Sequence, residues 1–320
     1  MNGEVRQRGP RTRLRLSVAV LAVVAAVGLV VGALVVFTWM VDETHFDRPD
    51  AGFDRLESQL DGLPGVSVDA SERWVEAPTF SGPTSWISLA VDQTNLPRLL
   101  EAACGMEYRD PVTWSLRVRT DAGDVVSVHT DAVHTDAVHT DAVHTDAVHT
   151  DAVAPERAGD DPRCIDAGFD IVAVVGQVDR LRLGIDLQPT IWESGRFALV
   201  AIDAASDDLL TMLPLVAHAD ELRDSAGLDP DRLIEINAPS LGIVIEPGEQ
   251  DRHLALLSEL AGEHGARSVW ADDGTTQIDG IAKVQVVAPP GEHSAIEEAI
   301  RASGLSFAGY PVRFLPSGSD

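Results

Sequence analysis

The sequence predicts an α+β protein, in which an N-terminal transmembrane helix is followed by extracytoplasmic ferredoxin-like (βαββαβ) modules and a low-complexity repeat forms a loop. Three observations lead to this prediction. One uncharged apolar run is long enough to cross a bilayer, short strand and helix patterns alternate along the rest of the chain, and one pentapeptide occurs five times in succession. The 320 residues are 45% hydrophobic, an ordinary value, so most of the chain should bury a core.

The charge balance restricts the partners that the chain can have. There are 24 Lys and Arg residues against 51 Asp and Glu residues, which gives a net charge of −27. Residues 1–15 differ from this average, because they carry five arginines and one glutamate. A surface this acidic repels phosphate backbones, so we expect no nucleic-acid partner.

The apolar run at 17–41 predicts the membrane topology. As a helix its 25 residues would span roughly 37 Å, more than a hydrocarbon core of roughly 30 Å. Arginines precede it and Asp42 and Glu43 follow, so the positive-inside rule predicts a cytoplasmic tail at 1–16 and an extracytoplasmic location for 42–320. The alternatives are a cleaved signal peptide, usually shorter and with a small-residue cleavage site, and a buried core helix. We therefore predict a signal-anchor in the lipid bilayer of the cell membrane.

The first predicted module covers 42–164 and starts with a short acidic linker. Helical spacing of Phe53, Leu56 and Leu60 predicts a helix that stops near Gly62. Further patterns predict a strand at 86–92, a helix at 96–103, and strands at 112–119 and 125–128 joined by a turn. We predict that these elements form a βαββαβ-type module that lacks its first strand.

The middle region, 165–239, is predicted to be rich in strands. Apolar residues at 171–175 and 181–187 indicate two strands around a polar turn, and 197–203 indicates a third. Ser206 is a candidate N-cap for the next helix, with a helix–helix junction expected at Pro214. Whether this region is a separate domain or completes the first module stays open at the level of sequence.

The C-terminal module, 240–320, has the clearest pattern. The strands are predicted at 241–246, 267–271, 281–288 and 310–315. A helix before Gly265 and a second helix with a Ser294–Glu297 capping box lie between them. The order β-α-β-β-α-β is that of the split βαβ, or ferredoxin-like, arrangement.

The pentapeptide His-Thr-Asp-Ala-Val repeats without variation over 129–153. A period of five builds neither a helix face nor a strand face, so it predicts a flexible, neutrally expanded loop in the hairpin. The alternatives are a pH response and weak binding of Zn²⁺, Ni²⁺ or Cu²⁺ by imidazoles that each precede an aspartate by two positions. The metal-ligand candidates are His129, His134, His139, His144 and His149.

Cys104 and Cys164 are the only cysteines. In the extracytoplasmic location predicted above they favour a disulfide, which would close a segment that includes the whole repeat. By the chain-entropy model such a bond stabilises the fold by about 4 kcal/mol. The alternative is two unpaired, small hydrophobic side chains.

No catalytic or cofactor-binding residue is predicted. The chain lacks GxSxG, SxxK, HExxH, P-loop and GxGxxG patterns. We interpret His218, His253 and His264 as surface or capping groups, and the adjacent acids Asp272 and Asp273 as turn residues. The predicted function is a membrane-anchored binding, adaptor or sensor protein with an envelope-protein partner. The alternatives are an enzyme whose site is assembled from distant residues and weak metal binding by the repeat.

Overall fold

The computed structural model describes residues 45–76, 83–108, 110–130, 164–202, 207–274 and 280–316. The chain divides into two compact units, of which the smaller comprises Met1–Arg48 and Arg73–Pro83. In its described part, strand β1 (His45–Asp47) pairs antiparallel with the end of strand β2 (Val66–Glu76). The Arg73 guanidinium also donates a hydrogen bond to the Arg48 carbonyl oxygen, at 2.9 Å.

The larger unit, Pro49–Glu72 and Thr84–Asp320, contains the other helices and strands of the described residues. Its helices are α1 (Ala51–Asp61), α2 (Leu96–Gly105), α3 (Ile171–Leu181), α4 (Leu209–Ala217), α5 (Ala219–Ser225), α6 (Gln250–Gly262) and α7 (His293–Ala302). The strands after β2 are β3 (Thr84–Asp92), β4 (Val112–Arg119), β5 (Val125–Thr130), β6 (Leu187–Ile191), β7 (Phe197–Ala201), β8 (Ile234–Asn237), β9 (Leu241–Ile245), β10 (Ser268–Asp272), β11 (Lys283–Val287) and β12 (Val312–Phe314).

The strands of the larger unit form one mixed sheet in which the spatial order follows the chain order. From β3 onward the pairing alternates regularly. Strands β3 and β4 are parallel, β4 and β5 are antiparallel, and the alternation continues to the parallel pair β11 and β12. The two strands of each parallel pair are connected through at least one helix. The two strands of each antiparallel pair follow one another with no helix between them among the described residues.

The predicted fold class is therefore wrong. In a split βαβ arrangement another strand separates the two parallel strands, whereas here β9 and β10 are direct neighbours, as are β11 and β12. The β-α-β-β-α-β order of the C-terminal region was predicted correctly, but that order does not determine which strands pair.

The predicted membrane character is not seen in the described part of the chain, where no helix is both long and apolar enough to cross a bilayer. The predicted span at 17–41 and the tail before it lie outside the described residues.

The middle region also differs from its prediction. The segment predicted as a strand at 171–175, together with the predicted polar turn after it, forms helix α3, in which Ile171, Val174 and Val178 are buried. The strand predicted at 181–187 is also wrong, because most of that segment lies in the loop before β6, which begins at Leu187. The buried residues of α3 recur at helical spacing, and the Asp170 carboxylate caps the helix by accepting a hydrogen bond from the Ala173 N–H at 2.9 Å. The β-branched composition suggested strands, but the period of 3.6 residues determined the structure.

Proline 214 does not end the helix that contains it. Helix α4 begins after Asp208, whose carboxylate accepts a hydrogen bond from the Leu210 N–H at 2.9 Å, and it continues through Pro214 to Ala217. The junction with α5 lies at His218. Ser206, the predicted cap, lies outside the described residues.

One face of the sheet carries the hydrophobic core. Alternate residues of every strand from β3 to β11 belong to it, as in β4, where Val112, Trp114, Leu116 and Val118 are buried. The described helices of the larger unit all contribute side chains to this same core, and α4 packs on α6 and α3 on α5. Residues that stand opposite each other on neighbouring strands lie on the same face of the sheet. The buried residues of the strands therefore all lie on one face, and the described helices of the larger unit pack on that face.

Candidate functional site

The open face, defined as the side of strands β3–β12 that points away from the core, is the candidate site. Here the described residues form rows of side chains that stand in register across the sheet. One row contains Asn237, Gly242, Trp270, Gln285 and Arg313, on β8, β9, β10, β11 and β12. The described helices of the larger unit all pack on the other side.

A cavity of 150 Å³, here called the tryptophan groove, lies at the centre of this row. Its lining includes Arg196, Glu235, Gly242, Val244, Trp270 and Asp273. A Cβ atom at position 242 would lie 2.7 Å from the Cδ1 atom of Trp270, which is too close for an ordinary contact. Glycine at 242 therefore allows the indole ring to lie against the sheet.

Arg196 holds one wall of the tryptophan groove in place. Its guanidinium donates to Asp273 at 2.6 Å and to Glu235 at 3.3 Å, and its side chain is 14% exposed. Burial by itself lowers the pKa of Arg196, but the hydrogen bonds to Asp273 and Glu235 outweigh it and raise the pKa above its ordinary value. The group is permanently charged, and its two carboxylates fix its orientation.

The chain's only lysine, Lys283, lies beside this groove. Its Nζ atom is 3.6 Å from Oδ2 of Asp272, which stands directly opposite on β10, and both side chains are 4% exposed. Asp272 also accepts a hydrogen bond from the Gly274 N–H, as its predicted turn role requires. Removing one partner of such a buried pair would leave an uncompensated charge.

A second cavity, of 350 Å³, lies on the open face toward the start of the chain and is here called the arginine groove. Its lining includes Ser67, Ala90, Asp92, Arg117, Arg119 and Val125. These residues come from β2 and β5 and from the carboxyl ends of the parallel strands β3 and β4. Grooves outside the carboxyl ends of parallel strands are common ligand sites.

The first histidine of the repeat is in strand β5 and is exposed on the open face. His129 stands opposite Ser115 of β4, but no hydrogen bond joins the two side chains, so they do not form an activated nucleophile. The next residue, Thr130, is buried, and its Oγ1 accepts a hydrogen bond from the Trp114 N–H at 3.1 Å. The repeat thus begins inside a strand and not in a loop.

The remaining predicted metal ligands, His134, His139, His144 and His149, lie outside the described residues. Within the described ranges no three His, Cys, Asp or Glu side chains are placed to hold a metal ion together. Cys104 and Cys164 are joined in a disulfide with Cα atoms 4.3 Å apart, which links the last turn of α2 to the segment before α3.

The scattered histidines have different environments. Nδ1 of His218 lies 3.1 Å from Glu221, and Nδ1 of His264 lies 2.8 Å from Glu292, as expected for groups near the surface. His253 was predicted in the same way, but it is fully buried against Phe307, with ring centroids 5.6 Å apart. Its spacing to Leu257 and Leu260, which are buried on the same helix, was the signal for a core position.

Neither ring nitrogen of His253 has a hydrogen-bond partner among the residues that the structure describes. Burial, together with the nearby charge of Arg252, lowers the pKa of His253 to about 4.

Sequence reasoning missed Arg196, Glu235 and Trp270, because they lie on three different strands or strand ends and only the sheet brings them together. Comparison of the chain with protein-family models, curated proteins and solved structures found no match. The functional argument therefore depends on the geometry of the open face.

Proposed function

We propose that the chain is a binding protein, and that another protein docks on its open face at the tryptophan groove. One observation carries this proposal. Trp270 lies across Gly242 on the side of the sheet opposite the described helices of the larger unit, with the Arg196 ion pairs beside it.

The chemistry of the groove supports a protein partner. Tryptophan and arginine are enriched among the residues that dominate protein–protein binding energies. The ion pairs of Arg196 with Glu235 and Asp273 hold the wall of the groove before a partner arrives, which reduces the entropy lost on binding. A cavity of 150 Å³ is smaller than an ordinary small-molecule pocket, and it suits a single inserted side chain.

The disulfide supports an oxidising, extracytoplasmic compartment as the place where this binding occurs, since such bonds are rare in the cytoplasm. Alkylation of the protein in freshly lysed cells tests this part of the proposal. We expect no thiol to react before reduction and both Cys104 and Cys164 to react after it. Labelling before reduction would contradict the proposed compartment.

Photo-crosslinking tests the open face. A photoreactive residue at Gln285, next to Trp270 in register, should crosslink the partner in the cells that make this protein. The same residue at Glu298, exposed on α7, is the matched control on the helix side and should not crosslink it. Equal adducts from both positions would contradict docking on the open face.

Two substitutions test the tryptophan itself. Trp270→Ala should weaken the recovered complex by about thirtyfold, because an anchoring tryptophan contributes about 2 kcal/mol. Gly242→Ala keeps the indole but displaces it, and should produce a similar loss while the fold is retained. If neither variant changes the yield of the crosslink at Gln285, the tryptophan groove is not the docking site.

A further inference from the structure

We infer that the arginine groove binds a small oxyanion, a carboxylate or a phosphate, through the guanidinium groups of Arg117 and Arg119. This site is separate from the tryptophan groove, and it does not depend on the proposed protein partner. The inference is based on the size of the cavity, on the register of the strands that form it and on the ion pairs that its arginines make.

The strand register leaves both arginines accessible. Arg117 stands between Ala90 of β3 and Ser127 of β5, two small side chains that do not cover it. Arg119 stands between Asp92 and Val125 in the next row. Two residues apart on one strand, the arginines are on the same face with a spacing of about 7 Å, so both can reach one bound molecule.

The protein itself engages these two cations weakly. The side chain of Arg117 is 62% exposed, and the nearest carboxylate oxygen of the described residues, on Asp69, is 4.0 Å away. Among the described residues, Arg119 has no ion pair or hydrogen bond from its side chain. Arg196 on the same face, by contrast, is held by two carboxylates and is hardly exposed. The arginine groove therefore keeps its guanidinium donors available for a ligand.

The cavity and its rim limit the ligand class. A volume of 350 Å³ lies in the range of small-molecule pockets. The Ser67 hydroxyl already donates its hydrogen bond to Oδ1 of Asp69, at 3.4 Å, and can therefore only accept one from a ligand. The Asp92 carboxylate can likewise only accept a hydrogen bond, and it repels a second negative charge. The ligand that fits these walls has a carboxylate or phosphate facing the arginines and a hydroxyl group facing Asp92.

Calorimetric titration of the full chain tests this inference with three probes: inorganic phosphate, glycerol 3-phosphate and malate. Ionic strength is kept constant with sodium chloride. We expect saturable binding at one site by glycerol 3-phosphate, by malate or by both, since each carries a hydroxyl group beside its negative charge. Stronger binding of glycerol 3-phosphate would indicate a phosphate ligand, and stronger binding of malate a carboxylate ligand. Absence of saturable heat with all three probes would overturn the inference.

Charge-matched variants separate this site from general electrostatics. Arg119→Gln and Arg117→Gln should each weaken binding by about tenfold or more, because each removes a charge-assisted hydrogen-bond donor. Arg313→Gln, an exposed arginine at the other end of the open face, changes the net charge equally and should leave affinity within about twofold. Equal losses in Arg313→Gln and Arg119→Gln would overturn the assignment to the arginine groove. Circular dichroism and melting temperature confirm that each variant is folded.

Discussion

The buried histidine of α6 predicts an acid sensitivity that one substitution should remove. His253 is fully buried, both its ring nitrogens lack hydrogen-bond partners, and its pKa is lowered to about 4 from 6.5. The folded protein therefore resists protonation of this ring, whereas the unfolded chain accepts the proton near pH 6.5. The contribution of neutral His253 to the free energy of unfolding is therefore fully present above pH 6.5, and it is lost as the pH falls toward 4.

The size of this loss follows from the two pKa values. Linkage predicts a decrease in the free energy of unfolding of about 2 kcal/mol at pH 5 and about 3 kcal/mol below pH 4, relative to neutral pH. His253→Leu removes the titrating group and the two buried nitrogens, whose desolvation costs about 1 kcal/mol or more. Imperfect packing against Phe307 should cost a similar amount, so we expect near-equal stability at pH 7.5 and an advantage for the variant of about 2 kcal/mol at pH 5.

Two charged groups lie near this ring. Glu249 has its Oε2 atom 3.8 Å from Nε2 of His253, while its Oε1 accepts a hydrogen bond from Arg252 at 2.7 Å. Arg252 opposes protonation of the ring, and its bond to Glu249 does not involve His253. The substitution should therefore leave the Glu249–Arg252 pair intact.

Urea unfolding at pH 5.0, 6.0 and 7.5, followed by tryptophan fluorescence, measures this effect as a difference between wild type and variant. Carboxylates that titrate in both proteins cancel in that difference. His218→Leu is the matched control, because it makes the same replacement at a ring that is 36% exposed. Equal losses of stability by wild type and His253→Leu between pH 7.5 and pH 5 would contradict this prediction.

Three further predictions concern the repeat and the segments on either side of it. Burial is the main cause that raises the pKa of Asp124, while a hydrogen bond from the Gly184 backbone opposes it and the charge of Asp186 adds to it. The contribution of this group to stability therefore falls as the pH rises through that pKa. Asp124→Asn should gain stability relative to wild type as the pH rises in the same urea assay, and a difference that does not change with pH would contradict this. Replacing both Cys104 and Cys164 by Ala should lower the free energy of unfolding by about 4 kcal/mol, and a loss below about 1 kcal/mol would show that the bond constrains little. Deleting 134–153 removes the last four copies of the repeat and leaves the first copy, which enters β5. If the repeat binds metal, this deletion should reduce the amount of Zn²⁺, Ni²⁺ or Cu²⁺ bound to the protein in metal analysis. An unchanged metal content rules out that role.

Much of the local structure was predictable from periodicity. The buried alternation of β4 and the helical spacing of α1 both appear in the structure, because each element buries one face and the period of its apolar residues shows which face. Segments of β-branched residues are harder, as α3 shows. Its valine-rich composition favoured a strand. The buried residues Val174, Val175 and Val178, however, recur at helical spacing, and a helix places all three in the core.

The disulfide is a prediction from the number of cysteines and the expected compartment. Cys104 and Cys164 were paired in the prediction because the sequence contains no other cysteine, and the structure places them within bonding distance. The repeat shows the limit of such reasoning. Its period of five excluded regular structure over many copies, but it could not show that the first copy completes strand β5 through His129 and Thr130.

The sequence by itself determined the acidic balance, the strand and helix positions in much of the chain and the absence of recognised catalytic motifs, since these depend on local composition and spacing. The order of the strands in the sheet cannot be predicted in this way, because the same β-α-β-β-α-β succession is compatible with both the split and the adjacent pairing of the parallel strands. The direct pairing of the parallel strands is a property of the tertiary structure alone, and the described helices of the larger unit all pack on one face of the resulting sheet. That arrangement brings Arg196, Glu235 and Trp270 together on the open face, although they are far apart along the chain.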